Sequence, residues 1–314
     1  MTLSIFALEG SRAFGERVAA ALGETLAPHE EREFEDGEHK TRPLTDVRGH
    51  DVCVVHSLYG DSDASVDHKL VRLLFFLGAL VDSGAERVTA VVPYLCYARK
   101  DRRTKSGDPV TTRYVARLFE AVGIDRIVTL DVHNIVAYEN AFRIRAWQLE
   151  ARELLVGAVL ERVGSTAVTV VSPDVGGVKR AEAFRSTLEE RMGRAVTNAF
   201  VEKYRSSGVV SGGTLVGEVS GRSAVVVDDL IASGTTLVRA ARACREQGAV
   251  AVHAVATHGA FTRAAHDAFA AAGLDSLVVT NSIDATRFGY PVPAIDVVDT
   301  SALFADAIRA LTKR

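Results

Sequence analysis

Residues 224–236 read AVVVDDLIASGTT, and they decide the fold. Ala224, Val225, Val226 and Val227 are four small or β-branched residues in a row, as in a strand buried on both faces. Two adjacent carboxylates, Asp228 and Asp229, stand where that strand ends. Ser233, Gly234, Thr235 and Thr236 follow, and then the apolar-periodic Leu237, Val238, Ala240 and Ala241 of a helix. Such a strand–loop–helix junction turns backbone N–H groups and the positive end of a helix toward one spot, which suits a phosphate. The acidic pair beside it suits sugar hydroxyls or a hydrated Mg²⁺. A phosphate and a polyol in one site describe a sugar phosphate. The loop residues alone would pass for an ordinary capped turn. The paired carboxylates shift the balance toward a ligand, because they repel each other unless something bridges them.

A chain of 314 residues accommodates two α/β domains of ordinary size. It is 47% apolar with a formal net charge of −3, as in a soluble globular protein with no general pull toward nucleic acid or membrane. The most apolar stretch, LVRLLFFLGAL at 70–80, is too short to span a bilayer and contains Arg72, so a core helix is expected there. The opening MTLSIFALEG lacks the basic region and cleavage site of an export signal. Three scattered cysteines, Cys53, Cys96 and Cys244, fit a reducing cytoplasm and have no metal-ligand spacing.

Valine- and isoleucine-rich strands are expected at 4–8, 52–56, 88–92, 127–131, 168–171, 224–228, 251–256 and 277–280, with helical periodicity between them. That alternation argues for parallel sheets flanked by helices. The halves also repeat. GAERVTAV at 84–91 parallels GAVAVHAV at 248–255, and GIDRIV at 123–128 parallels GLDSLV at 273–278. We expect two copies of one domain, at 1–148 and 149–314, with the terminal helix in the second. The spacing between copies falls from 164 to 150 residues, so the first copy carries 14 extra between these anchors. The stretch PYLCYARKDRRTKSGDP at 93–109 accounts for them. Its five cations follow a strand's C-terminal end, where open α/β sheets bind ligands, and a polyphosphate would need them.

At this point the chain resembles the ribose-phosphate pyrophosphokinase family. The motifs that carry the resemblance are FEDGE at 34–38, DVRGHDVCVVHS at 46–57, PYLCYARKDRR at 93–103, TLDVH at 129–133, VVSPDVGG at 170–177, EKYR at 202–205, VVDDLIASGTT at 226–236 and VVTNSI at 278–283. They run in the family's order over most of the chain. The resemblance implies two phosphoribosyltransferase-type α/β domains and transfer of the diphosphoryl group of ATP to O1 of ribose 5-phosphate. It assigns the sugar to Asp228 and Asp229 and its phosphate to Ser233, Gly234, Thr235 and Thr236. It gives Mg²⁺ to His133 and Asp174, and ATP to Arg99, Lys100 and Asp101. Phe34, Asp36 and Glu38 would reach ATP from a neighbouring subunit, so a homo-oligomer is implied. Lys203 and Arg205 fall in the family's catalytic flexible loop, and the polar, glycine-rich KYRSSGVVSGG suits a mobile lid.

Several positions depart from the family's pattern. Lys100 replaces a glutamine, which puts an obligate donor where an amide can donate and accept. Ala232 replaces a third aspartate in the sugar-phosphate loop, which then looks more like that of ordinary phosphoribosyltransferases. Asp46 and Ile135 stand where family members carry serines that bind regulatory anions, beside Arg48. A base phosphoribosyltransferase, a catalytically silent subunit of a true synthetase, and the same chemistry on another sugar phosphate are the alternative readings. The doubled domain, the cationic insertion and the presence of His133, Asp174, Lys203 and Arg205 weigh against the first two.

Overall fold

The computed structural model describes residues 1–206, 209–287 and 295–312; residues 203–206, 209–213, 263, 266, 267, 270 and 271 are described as backbone only. The chain divides into two units, Met1–Glu150 with Thr300–Arg314, and Ala151–Asp299.

The first unit contains β1 (Leu3–Ala7), α1 (Arg12–Leu22), β2 (His29–Glu33), β3 (His39–Pro43), β4 (Asp51–Val55) and α2 (Val66–Asp82). It continues through β5 (Arg87–Val92), α3 (Thr111–Ala121), β6 (Arg126–Leu130), α4 (Ile135–Ala141) and β7 (Arg145–Leu149). The second unit contains α5 (Arg152–Val163), β8 (Val168–Ser172), α6 (Val178–Met192), β9 (Thr197–Ser206), β10 (Val209–Val216) and β11 (Ser223–Leu230). It closes with α7 (Thr235–Glu246), β12 (Ala251–His258), α8 (Arg263–Ala272), β13 (Ser276–Thr280) and β14 (Ile295–Val298). The last helix, α9 (Ser301–Thr312), returns to the first unit.

The main sheet of the first unit runs β1-β4-β5-β6-β7, every pair parallel. The second sheet runs β10-β9-β8-β11-β12-β13-β14, parallel except for the antiparallel β9–β10 pair at its edge. Without that edge pair, the two sheets have the same connectivity. The duplication inferred from the repeats is therefore visible in the topology. Valine runs form the central strands because both sheet faces are covered: every residue of β4, β6 and β8 is buried.

The stretch at 70–80 is a core helix, as expected. In α2, Leu70, Leu73, Leu74, Leu77 and Leu80 are buried at helical spacing. Ser65 caps its start by accepting from the His68 N–H at 3.2 Å. Arg72, on the helix's other side, pairs with Glu31 and Glu33 of β2 and so fastens the separate β2–β3 hairpin.

One expectation is corrected. The terminal helix packs on the first unit, not the second. Phe304 meets Phe14 of α1 edge-to-face at 5.5 Å, the buried Arg126 donates to the Leu311 carbonyl at 3.2 Å, and Arg309 donates to the Ala21 carbonyl at 2.9 Å. The other boundary lies at Glu150/Ala151, just after β7. Phe304→Ala should destabilise the first unit by about 3–5 kcal/mol, the usual cost of emptying a fully buried aromatic site. Urea unfolding followed at Trp147, also in the first unit, measures this; an unchanged midpoint would contradict the packing.

Candidate active site

β11 lies between β8 and β12, so its apolar run is buried and its acidic end emerges at the carboxyl edge of the sheet. Asp229 is 7% exposed and Asp228 is partly buried. The Asp229 N–H donates to Asp228 Oδ1 at 2.9 Å. Burial first, and then the neighbouring Asp229 charge, push Asp228 up to about 7. The opposing influence is Arg180 of α6, whose Nη1 is 3.2 Å from Asp228 Oδ1 and 3.2 Å from Asp229 Oδ1.

The loop beyond the pair is built for close approach. Gly234 has φ +75°, and a Cβ on it would lie 3.0 Å from the Phe269 ring, so both the backbone conformation and the neighbouring wall require glycine. Gly234 has no side chain with which to cap α7; the Thr235 N–H reaches the Ser233 hydroxyl at the long distance of 3.5 Å, a contact that an anion at the helix N-terminus can replace. The hydroxyls of Ser233 and Thr235 face each other at 3.0 Å and are exposed, and Thr236 follows in the first turn.

Asp174 lies past the end of β8. Its Oδ1 accepts from the Gly177 N–H at 3.1 Å and caps a short 3-10 turn that leads into α6. β9 and β10 pair as a hairpin in which Lys203 stands opposite Gly213 and Arg205 opposite Val210. The lid-like loop expected around Lys203 and Arg205 is thus replaced by paired strands; the side chains of both residues lie outside what is described.

In the first unit, the cationic stretch after β5 is organised by a residue whose role was not expected. Asp108 Oδ2 accepts from Lys100 Nζ at 2.6 Å, the Thr104 N–H at 3.0 Å, the Thr104 hydroxyl at 2.7 Å and the Lys105 N–H at 2.9 Å. The Lys100 ammonium and these donors hold its carboxyl well below the usual carboxylate range. Lys100 therefore shapes the loop from inside. Arg99, Arg102 and Arg103 are exposed and have no carboxylate partner among the described residues. Asp101 accepts from Asn134 Nδ2 at 2.6 Å, and Asn134 in turn caps α4 by accepting from the Ala137 N–H. This ties the loop after β5 to the loop after β6. His133 lies in the second of these loops and is exposed. Tyr97 (φ 59°) and Asp131 (φ 36°) hold the left-handed region without being glycine, one in each loop. Such strain gathers at functional sites.

Phe34, Asp36 and Glu38 form the tip of the β2–β3 hairpin. The Phe34 N–H donates to the Glu38 carbonyl at 2.7 Å, the Glu38 N–H to Asp36 Oδ1 at 3.1 Å, and the Arg32 guanidinium lies 5.0 Å from the Phe34 ring centre. All three tip residues are exposed. Asp46 and Arg48 pair with each other, Nη2 to Oδ2 at 2.6 Å, and Arg48 pulls Asp46 down to about 2. The structure thus brings Asp228 and Asp229 together with Arg180, and Asp101 with Asn134. It places His133 and Asp174 in different units. Among the described residues, no group of three or more His, Cys, Asp or Glu is arranged to hold a metal ion.

Asp228 predicts a pH effect. The folded chain keeps its proton up to about pH 7, while an unfolded aspartate loses it near pH 4. Between those values the native state binds more protons, so this group makes stability fall as pH rises. Asp228→Asn should flatten that decline. Urea midpoints from pH 4 to 8 check it; an equal slope in mutant and parent would contradict the raised Asp228.

Residues 3–123 match the N-terminal domain of ribose phosphate pyrophosphokinase, and residues 209–314 match the phosphoribosyl synthetase-associated domain. The chain is 33% identical to a ribose-phosphate pyrophosphokinase of Hyphomonas neptunium, over 98% of its length and 96% of that protein. It is 36% identical to one from Maricaulis maris, over 96% and 93%. The phosphoribosylpyrophosphate synthetase structure from Mycobacterium smegmatis superposes with a TM-score of 0.90 at 31% identity, covering 99% of both chains. Full-length similarity of this degree, on two domains of the expected type, means that the chain belongs to the ribose-phosphate pyrophosphokinase family.

Proposed function

We propose that this protein transfers the diphosphoryl group of ATP to O1 of ribose 5-phosphate, giving 5-phosphoribosyl 1-diphosphate and AMP. In that reaction a bond forms between O1 and the β-phosphorus, the bridge between the α- and β-phosphates breaks, and the O1 proton is released. The observation that carries this reading is the Asp228–Asp229 pair beside the N-terminus of α7. In our reading, the two carboxylates accept from the sugar hydroxyls. Ser233, Gly234, Thr235 and Thr236 take the 5-phosphate through N–H and hydroxyl donors.

ATP is assigned to the first unit, with Arg99 at its phosphates or adenine. Lys100 and Asp101 contribute by holding the loop through Asp108 and Asn134. Phe34, Asp36 and Glu38 are assigned to the nucleotide of an adjacent subunit in a homo-oligomer; their outward position on the hairpin supports this. Lys203 and Arg205 are assigned to the phosphoryl oxygens, whose charge is spread in the transition state.

The reaction calls for Mg²⁺. The exposed imidazole of His133 and the partly buried carboxylate of Asp174 each suit an ion of their own that keeps several waters and borrows phosphate oxygens. When bound, it would neutralise phosphate charge. Among the described residues, no helix is long and apolar enough to cross a membrane. The cysteines Cys53, Cys96 and Cys244 are buried thiols, in keeping with a cytoplasmic enzyme.

The test is to incubate the protein with ATP, Mg²⁺ and ribose 5-phosphate and to detect AMP and phosphoribosyl diphosphate in equal amounts. Lys203→Ala should lower kcat by roughly 10²-fold or more with little change in nucleotide affinity, the scale of one lost transition-state contact. Near-parental turnover would remove Lys203 from the chemistry. A second expectation concerns regulation. Asp46 already occupies Arg48, and an anion placed there would meet a carboxylate. Activity should therefore need no inorganic phosphate, and ADP should inhibit only by competing with ATP. Initial rates in phosphate-free buffer, and ADP inhibition at saturating ATP, decide this. Phosphate activation, or inhibition that ATP does not relieve, would contradict it.

A further inference from the structure

Arg180 occupies the first turns of α6, where the helix dipole disfavours a cation. Something else must hold it there. Its Nη1 carries two N–H groups and lies 3.2 Å from one oxygen of each carboxylate, so one nitrogen serves both Asp228 and Asp229. Arg180 passes close over the backbone of the buried Gly177: a Cβ there would collide with the Ser172 hydroxyl at 2.8 Å and would meet Arg180 Nη1 in ordinary contact at 3.6 Å. The Arg180 side chain is 31% exposed, so the bridge is open to a ligand on one side.

We propose that Arg180 is a positioning residue for sugar recognition: it fixes the spacing of Asp228 and Asp229 so that their remaining acceptor capacity matches a vicinal diol. This rests on the sugar-phosphate reading of the site. Two adjacent carboxylates at a strand end repel each other and would splay without a shared donor. The planar guanidinium supplies one charge and a rigid donor geometry. A lysine would supply the charge on a flexible, rotating ammonium, without the fixed in-plane pair of N–H groups that Nη1 offers. The role is separate from the transition state, so its loss acts on sugar binding before it acts on turnover.

The experiment is steady-state kinetics of Arg180→Met and Arg180→Lys. Arg180→Met should raise the KM for ribose 5-phosphate on the order of 10- to 100-fold, the effect of one lost charge-assisted contact. The KM for ATP should stay within about twofold, and kcat should change less than the sugar KM. Arg180→Lys should recover part of the sugar KM. Thermal unfolding of each variant separates this from loss of fold. If Arg180→Met does not fold, Arg180→Lys decides: an unchanged sugar KM overturns the proposal. Equal changes in both substrate KM values, or a change in kcat alone, also overturn it. Failure of the parent protein to form phosphoribosyl diphosphate would instead overturn the function on which the proposal rests.

Discussion

Parallel strand pairing is the constraint from which the rest of this structure follows. A parallel strand cannot return by a tight turn, so each needs a crossover, and here the crossovers are mostly helices. Helices on both faces bury the central strands completely, which is why those strands are rich in valine and isoleucine. Parallel pairing also brings all the carboxyl ends of a sheet to one edge. The loops after β5 and β6 in the first unit therefore share an edge, as do those after β8 and β11 in the second. Asp101 can reach Asn134, and Arg180 can reach Asp228, because the sheet has already made them neighbours. The chemistry sits on loops that the fold holds in place but does not itself need.

The two units show how one junction can be used in two ways. β4 and β11 occupy matching registers: Val55 pairs with Val91 and Val227 with Val255, positions equivalent in the repeat. The next residue is Asp228 in the second unit and His56 in the first. His56 is fully buried, and burial pulls it down to about 3, so it is a neutral imidazole at ordinary pH. In the following turn, Asp61 pairs with the buried Lys69, whose ammonium lies 3.9 Å from the centre of the Tyr59 ring. The first unit has filled its junction with its own ion pair. The second has Ser233 and Gly234 there, with the Ser233 and Thr235 hydroxyls exposed at the start of α7. The same backbone frame is a packed corner in one copy and an exposed loop in the other.

The strongly apolar strands were legible because burial on both faces leaves a direct mark on sequence. All eight expected strands are present, with ends shifted by one or two residues. β2 and β3 left no such mark. HEERE and HKTRP pair with each other and are fastened by Arg72, so charge rather than apolar alternation holds them. The hairpin of β9 and β10 was hidden by its glycines, which suggest a loop when read alone. Asp228, Asp229 and the loop to Thr236 could be read because they are contiguous. Arg180 could not: it lies 48 residues from Asp228 in sequence, and an arginine near a helix start looks like any solvated cation. The ion pair of Lys100 was hidden for a related reason: its partner Asp108 lies past the cationic run and looks like a loop residue when read alone. The apolar stripe of α9, with Phe304, Ile308 and Leu311, marks it as a packed helix but cannot say which core it joins.

The return of α9 to the first unit has a consequence during synthesis. Residues that complete the first unit are made only after the whole of the second, about 150 residues later. At a translation rate of roughly 5–20 residues per second, the interval is on the order of 10–30 s. Throughout it, Phe14 and the rest of the α1 face have no α9 to cover them. A sticky surface exposed for that long on the ribosome is the kind that holding chaperones bind. The second unit has no such wait, since its strands and helices are contiguous in the chain. It can therefore finish folding first, although it is made second.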